Sequence, residues 1–154
     1  MAEFTLTKRI AAPVETVFDV ATDLAHAAEH IRGIERIELV TDGPIGVGTR
    51  WRETRKMMGH MSTETLEITT FDRPHHYTIG CESCGVYFET TFRFAPAGDA
   101  TDLTLDVRME ARSLMAQLMS PLGNLMFGTT MRQMMDDDLE DIKRVAESQA
   151  GVAT

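Results

Sequence analysis

One stretch restricts the fold more than any other: in residues 113–148 apolar side chains recur at helical rather than strand spacing. At 100° per residue, Met131, Met134, Met135, Leu139, Ile142, Val145 and Ala146 fall on one arc, with Arg132, Gln133, Asp136, Glu140, Lys143 and Glu147 opposite. A helix so divided needs an apolar face to lie on. The preceding hundred residues read largely at strand period and supply one. Asp138 is the exception on the arc: four residues after Met134 and four before Ile142, it faces the sheet. A buried carboxylate needs a partner, so it is expected in a salt bridge or hydrogen bond at the helix–sheet interface, with a ligand-reading role as the alternative.

A straight helix over 113–148 would span about 54 Å at 1.5 Å per residue, against a diameter of roughly 40 Å for a compact domain of this size. The expectation is therefore a break at Ser120-Pro121, where proline removes a backbone bond and serine can cap a new start. Gly123 and Gly128 weaken the next turns. This places a short segment over 113–119 and a long helix over 121–148. Leu122, Leu125 and Met126 point away from the main arc. Either the 113–119 segment covers them, or they form a Met-rich entrance or a homodimer patch.

The strand readings run in order. Phe4, Leu6, Lys8 and Ile10 alternate with Thr5, Thr7 and Arg9 over 3–11. Pro13 stops that ladder and suits the start of a helix over about 13–22, in which Val14, Val17, Phe18 and Ala21 share a face. Asp23 can cap a second short helix, Leu24 to His30. Six strands follow, 34–41, 49–58, 61–71, 76–82, 86–95 and 101–111, separated by turn residues, which makes an antiparallel meander. With no linker, residues 1–150 read as a single domain and 151–154 as a disordered tail.

Charge and motifs exclude several functions. A net charge of −9 gives no basic surface for nucleic acid, and it disfavours acidic substrates and anionic membranes. The first residues lack a signal-peptide apolar run and no window reaches the length of a membrane span, so the expected location is cytoplasmic. Two cysteines fit a reducing compartment. Cys81 and Cys84 flank a hairpin turn rather than opening a helix, so they read as a thiol pair at a turn rather than as a redox or zinc motif. His26, His75 and His76 read as solvent-exposed, and His60 has a claim to a cavity rim. No cofactor is expected, because the nucleophile-elbow, metalloprotease, phosphate-loop and dinucleotide patterns are missing.

Strand phase then sorts the interior. Leu103, Leu105, Val107 and Met109 face inward, as do Phe88, Thr90, Phe92 and Phe94. In 49–58 the solvated set is Arg50, Arg52, Thr54 and Lys56, which leaves Trp51, Glu53, Arg55 and Met57 inside; Glu64 follows Leu66 and Ile68 inward, and Tyr77, Ile79 and Cys81 join them. Eleven methionines, seven between Met109 and Met135, suit an adaptable cavity wall. The candidate ligand-binding residues are Trp51, Arg55, Met57, Tyr77, Phe88, Phe92, Leu105, Met109, Met115, Met119, Phe127, Met131 and Met135. Glu53, Arg55, Glu64 and Tyr77 are the candidates for acid–base work. The alternative is that Glu53, Arg55 and Glu64 simply pair with each other or with Asp138.

The order strand, two short helices, six strands, long helix resembles the START-like (SRPBCC) superfamily, including its polyketide cyclase/dehydrase group. The residues that carry the resemblance are Ile10 through Asp19 at the first helix, Gly46-Val-Gly-Thr-Arg-Trp51, Ile68 through Pro74 and on to His76, and Asp138-Leu-Glu-Asp-Ile-Lys143. It implies an α+β helix-grip fold, a seven-stranded antiparallel sheet curled around the C-terminal helix with a cavity between them. The members range from lipid carriers to cyclases, so two functions stand: a module binding an apolar lipid-, aromatic- or polyketide-like molecule, or a cyclase/dehydratase-type enzyme using the same cavity. Use mainly through an interface is a third reading, resting on Leu122–Met126.

Overall fold

The computed structural model describes residues 2–57 and 59–151, with side chains for all of these except 2, 57, 116 and 118–128. The tail expected over 151–154 lies, apart from Gly151, outside the described residues. The elements run β1 (Ala2–Ile10), α1 (Val14–Ala21), α2 (Ala27–His30), β2 (Ile34–Leu39), β3 (Arg50–Met57), β4 (His60–Asp72), β5 (His76–Ser83), β6 (Val86–Ala97), β7 (Ala100–Ala111) and α3 (Leu114–Gln149). The seven strands form one sheet in the order β1-β7-β6-β5-β4-β3-β2, antiparallel throughout. After β1 the chain crosses through α1 and α2 to the far edge and then returns strand by strand. This is the helix-grip architecture expected from the element order.

Pro13, in extended conformation, ends β1 and precedes α1, whose Val17, Phe18 and Val20 are buried. The Thr22 hydroxyl donates to the Phe18 carbonyl at 2.9 Å and closes the helix. Phe18 is the centre of the densest packing: its ring meets Phe94 at 4.9 Å, Phe71 at 5.4 Å and Tyr77 at 5.6 Å between centroids. Leu139, Ile142, Val145 and Ala146 of α3 close over the same cluster with Leu103, Leu105 and Val107 of β7. The corner between β1 and α1 is tied to α3, since the Ala11 amide donates to Glu147 at 2.8 Å.

The expected break in the last helix does not occur: α3 runs unbroken for 36 residues. A proline removes one backbone bond, but the helical turns on either side persist, and the helix passes through position 121. Domain size sets no limit here, because a helix need not end where its sheet ends. Only Met131 to Ala146 has to lie on the sheet, and the first turn stands clear of it, with Leu114 74% and Met115 71% exposed. The entrance and homodimer readings of Leu122, Leu125 and Met126 fall outside the described side chains.

The clamped face also carries a second acid. Asp141, absent from the sequence-derived arc, is 2% exposed. It accepts from the backbone amide of Arg32 at 2.9 Å and from the Arg32 guanidinium at 3.0 Å, pinning the turn between α2 and β2 to α3. On β3, Thr54 is buried rather than solvated, because its hydroxyl pairs with that of Thr63 across the strands at 2.8 Å.

Candidate functional site

Between α3 and the concave face of the sheet lies a cavity of about 420 Å³. Its floor follows from the strand register. One row of paired residues is Trp51, Leu66, Cys81 and Phe88, continuing to Met109 beyond the lining; the next is Glu53 opposite Glu64; a third is Tyr77, Phe92 and Leu105. The roof is one face of α3, with Met131, Met134, Met135, Asp138, Leu139 and Ile142 at helical spacing. Side walls come from α1, α2, β2 and their connections: Val20, Leu24, Ala27, His30, Ile31, Ile34 and Ile37.

Period 2 in β3 brings Glu53 and Arg55 onto the concave side, and the helical phase brings Asp138 down to meet them. The Arg55 guanidinium grips Asp138 with both terminal nitrogens, at 3.1 and 2.6 Å, and donates from Nε to Glu53 at 2.7 Å. The other Glu53 oxygen accepts from the Trp51 indole at 3.3 Å. Side-chain exposures of 12% for Arg55, 13% for Glu53 and 20% for Asp138 leave little screening by water. Gly33 makes room for this grip, because a Cβ there would stand 2.8 Å from Arg55 Nη1.

Two carboxylates share one cation, and the titration directions follow. Burial pushes the Asp138 carboxyl up to about 6, Arg55 pulling it back only in part and the Glu53 and Asp141 charges adding to the rise. Burial acts to lower the Arg55 pKa, but Asp138 and Glu53 outweigh it and hold the guanidinium charged above its ordinary value. Burial also drives the Tyr77 phenol well above its ordinary range, helped by the negative charges of Glu53 and Asp138. Its hydroxyl donates to the Ala21 carbonyl at 3.3 Å. The Cys81 thiol is pushed up to about 11, by burial first and then by Glu64 and Glu53, so it stays protonated at neutral pH. Glu64 does not join the Arg55 cluster; its Oε1 accepts from Ser83 at 2.7 Å and Ser62 at 3.2 Å.

Of the residues singled out from sequence, Trp51, Glu53, Arg55, Glu64, Tyr77, Phe88, Phe92, Leu105, Met131 and Met135 line the cavity together. Met109 is buried in the sheet but is not part of the lining, and Met115 stands in solvent on the first turn of α3. The side chains of Met57, Met119 and Phe127 are outside the described ones. His60 is exposed. The wall from α1 to β2, His30 above all, was not foreseen. In a four-residue helix no periodicity can mark an inward face, and only the apolar Ile31 and Ile34 after it gave a signal.

A family model described as polyketide cyclase / dehydrase and lipid transport matches residues 1–147. No curated protein matches the chain in sequence. Among solved structures, a protein from Thermus thermophilus matches with a TM-score of 0.78 at 21% identity, over 97% of this chain and 99% of that one. A START superfamily protein from Mycobacterium smegmatis gives 0.78 at 15%, over 96% and 98%. The Zhui aromatase/cyclase from Streptomyces sp. R1128 gives 0.76 at 18%, over 95% and 93%. At such identities the likeness is one of fold.

Proposed function

The chain belongs to the polyketide cyclase / dehydrase and lipid transport family, and we propose that it binds one apolar small molecule, lipid-, aromatic- or polyketide-like, in the cavity between α3 and the sheet. The observation that carries this reading is the cavity itself: about 420 Å³ lined by Trp51, Phe88, Phe92, Met131 and Met135, with its charged groups confined to Glu53, Arg55, Glu64 and Asp138 among the described residues. That combination is what an apolar ligand site requires. Binding of the neutral fluorescent probe N-phenyl-1-naphthylamine tests it. One probe per chain is expected, with affinity reduced at least tenfold by Ala27→Phe, which fills the cavity from its wall. No saturable binding, or binding that Ala27→Phe leaves intact, speaks against the reading.

Cyclase/dehydratase-type chemistry in the same cavity has one observation in its favour. The Asp138 carboxyl, raised to about 6 and held by Arg55, is an acid–base group inside an apolar site. This reading expects a polyketide-like ligand to emerge chemically changed. Mass spectrometry after incubation checks it, and loss of water that persists unaltered in Asp138→Asn removes Asp138 from that role.

A further inference from the structure

The cavity's polar groups are unbalanced in sign. Among the described lining residues there are three carboxylates, Glu53, Glu64 and Asp138, and one permanent cation, Arg55. Every nitrogen of Arg55 already donates to Glu53 or Asp138. An anionic ligand would therefore have to share a guanidinium that two largely buried carboxylates already hold. Glu64 is in the opposite condition. Its Oε1 takes two serine hydroxyls, while its Oε2 accepts no hydrogen bond from a described residue.

The register makes this imbalance a built feature. Glu53 and Glu64 are direct cross-strand partners on β3 and β4, both facing the cavity. Like charges directly opposite one another destabilise a sheet, and Arg55 offsets only the Glu53 side of this pair. A second, separate sign of an unmet requirement is His30, which lines the same cavity with a buried Nδ1 that has no hydrogen-bond partner among the described residues. A buried polar atom left unpaired is costly until something supplies a partner.

We propose that the ligand is an apolar amine, its ammonium group seated against Glu64 opposite Glu53 and its hydrocarbon body lying along the Met and aromatic lining. The inference rests on the ligand-binding reading above and adds the chemical class. An ammonium offers N–H donors to the second Glu64 oxygen and brings the positive charge that Arg55 supplies to Glu53 but not to Glu64. A carboxylate ligand of the same shape adds a fourth negative charge beside a cation that already serves two carboxylates.

Three ligands with the same ring system separate the possibilities: 1-naphthylmethylamine, 1-naphthylmethanol and 1-naphthoic acid, each displacing N-phenyl-1-naphthylamine from the intact chain at pH 7.5. The amine is expected to bind at least tenfold tighter than the alcohol, with the acid weakest. Glu64→Gln is expected to bring the amine-to-alcohol ratio down toward one. In the absence of ligand, the same substitution is expected to raise the melting temperature, because it removes the facing charge. An acid that binds as tightly as the amine overturns the proposal, and so does an amine preference that survives in Glu64→Gln. If the neutral probe binds while the amine gains nothing over the alcohol, this inference alone fails. If neither the probe nor any of the three binds, the binding reading fails with it.

Discussion

The two ends of the helix–sheet interface are built from different side chains. Over its last turns α3 presents Leu139, Ile142, Val145 and Ala146 to Phe18, Phe94 and Leu103, and these pack to near-zero exposure. Toward its other end the same helix presents Met131, Met134, Met135 and Asp138 to the cavity, with Leu139 and Ile142 at the boundary between the two, lining the cavity while packing in the core. Branched and aromatic residues in fixed rotamers fill one end as a solid. Unbranched methionines at the other adapt to what enters. The buried acids divide in the same way: Asp141 is spent on the backbone and side chain of Arg32, a structural tie, while Asp138 shares Arg55 with Glu53 at the cavity.

The contrast is broken most strongly at its solid end. Phe18→Ala empties a fully buried site, and the expected loss is about 4 kcal/mol in urea unfolding, whereas Met135→Ala, at the edge of an existing cavity, is expected to lose about 1 kcal/mol and to weaken probe binding about fivefold. Equal losses at the two positions would erase the distinction. Next comes Arg55→Ala, which leaves Glu53 and Asp138 facing each other without a cation; the expected loss is about 3 kcal/mol, with Arg55→Met no better because the carboxylates remain. A loss below about 1 kcal/mol would mean that water reaches and solvates the acids.

The third test uses pH. The folded-state pKa of Asp138, about 6, lies above its ordinary value of 3.8, so the folded chain binds this proton more tightly than the unfolded chain. Its contribution is therefore most favourable below pH 4 and is lost as pH rises through 6. Relative to Asp138→Asn, which keeps no titrating group there, the native chain is expected to lose roughly 2–3 kcal/mol between pH 4 and pH 6.5. Paired melting curves of the two proteins across that range measure it. Parallel curves would show that Arg55 fully compensates the burial of Asp138.

Much of this was legible in the order of residues. Alternation in residues 50–57 put Trp51, Glu53 and Arg55 inside because strand side chains have a strict period of two, and helical phase put Asp138 over them. Three things were not legible. The continuity of α3 through Pro121 depends on how far a helix may overhang its sheet, which no local rule states. Asp141 carries no local signal, because its burial comes from the turn carrying Arg32, a partner 109 residues distant in the chain. His30 carries none either, because one turn of helix has no measurable face.

Residue order therefore carries the fold and the inward-facing sets, since both follow from short periods that each strand and helix displays by itself. Which inward charges meet is settled only by strand register and helix placement. Those set Glu64 opposite Glu53 and out of the grip of Arg55, because a charged pair needs atoms within about 4 Å, and only the assembled sheet and helix bring them that close.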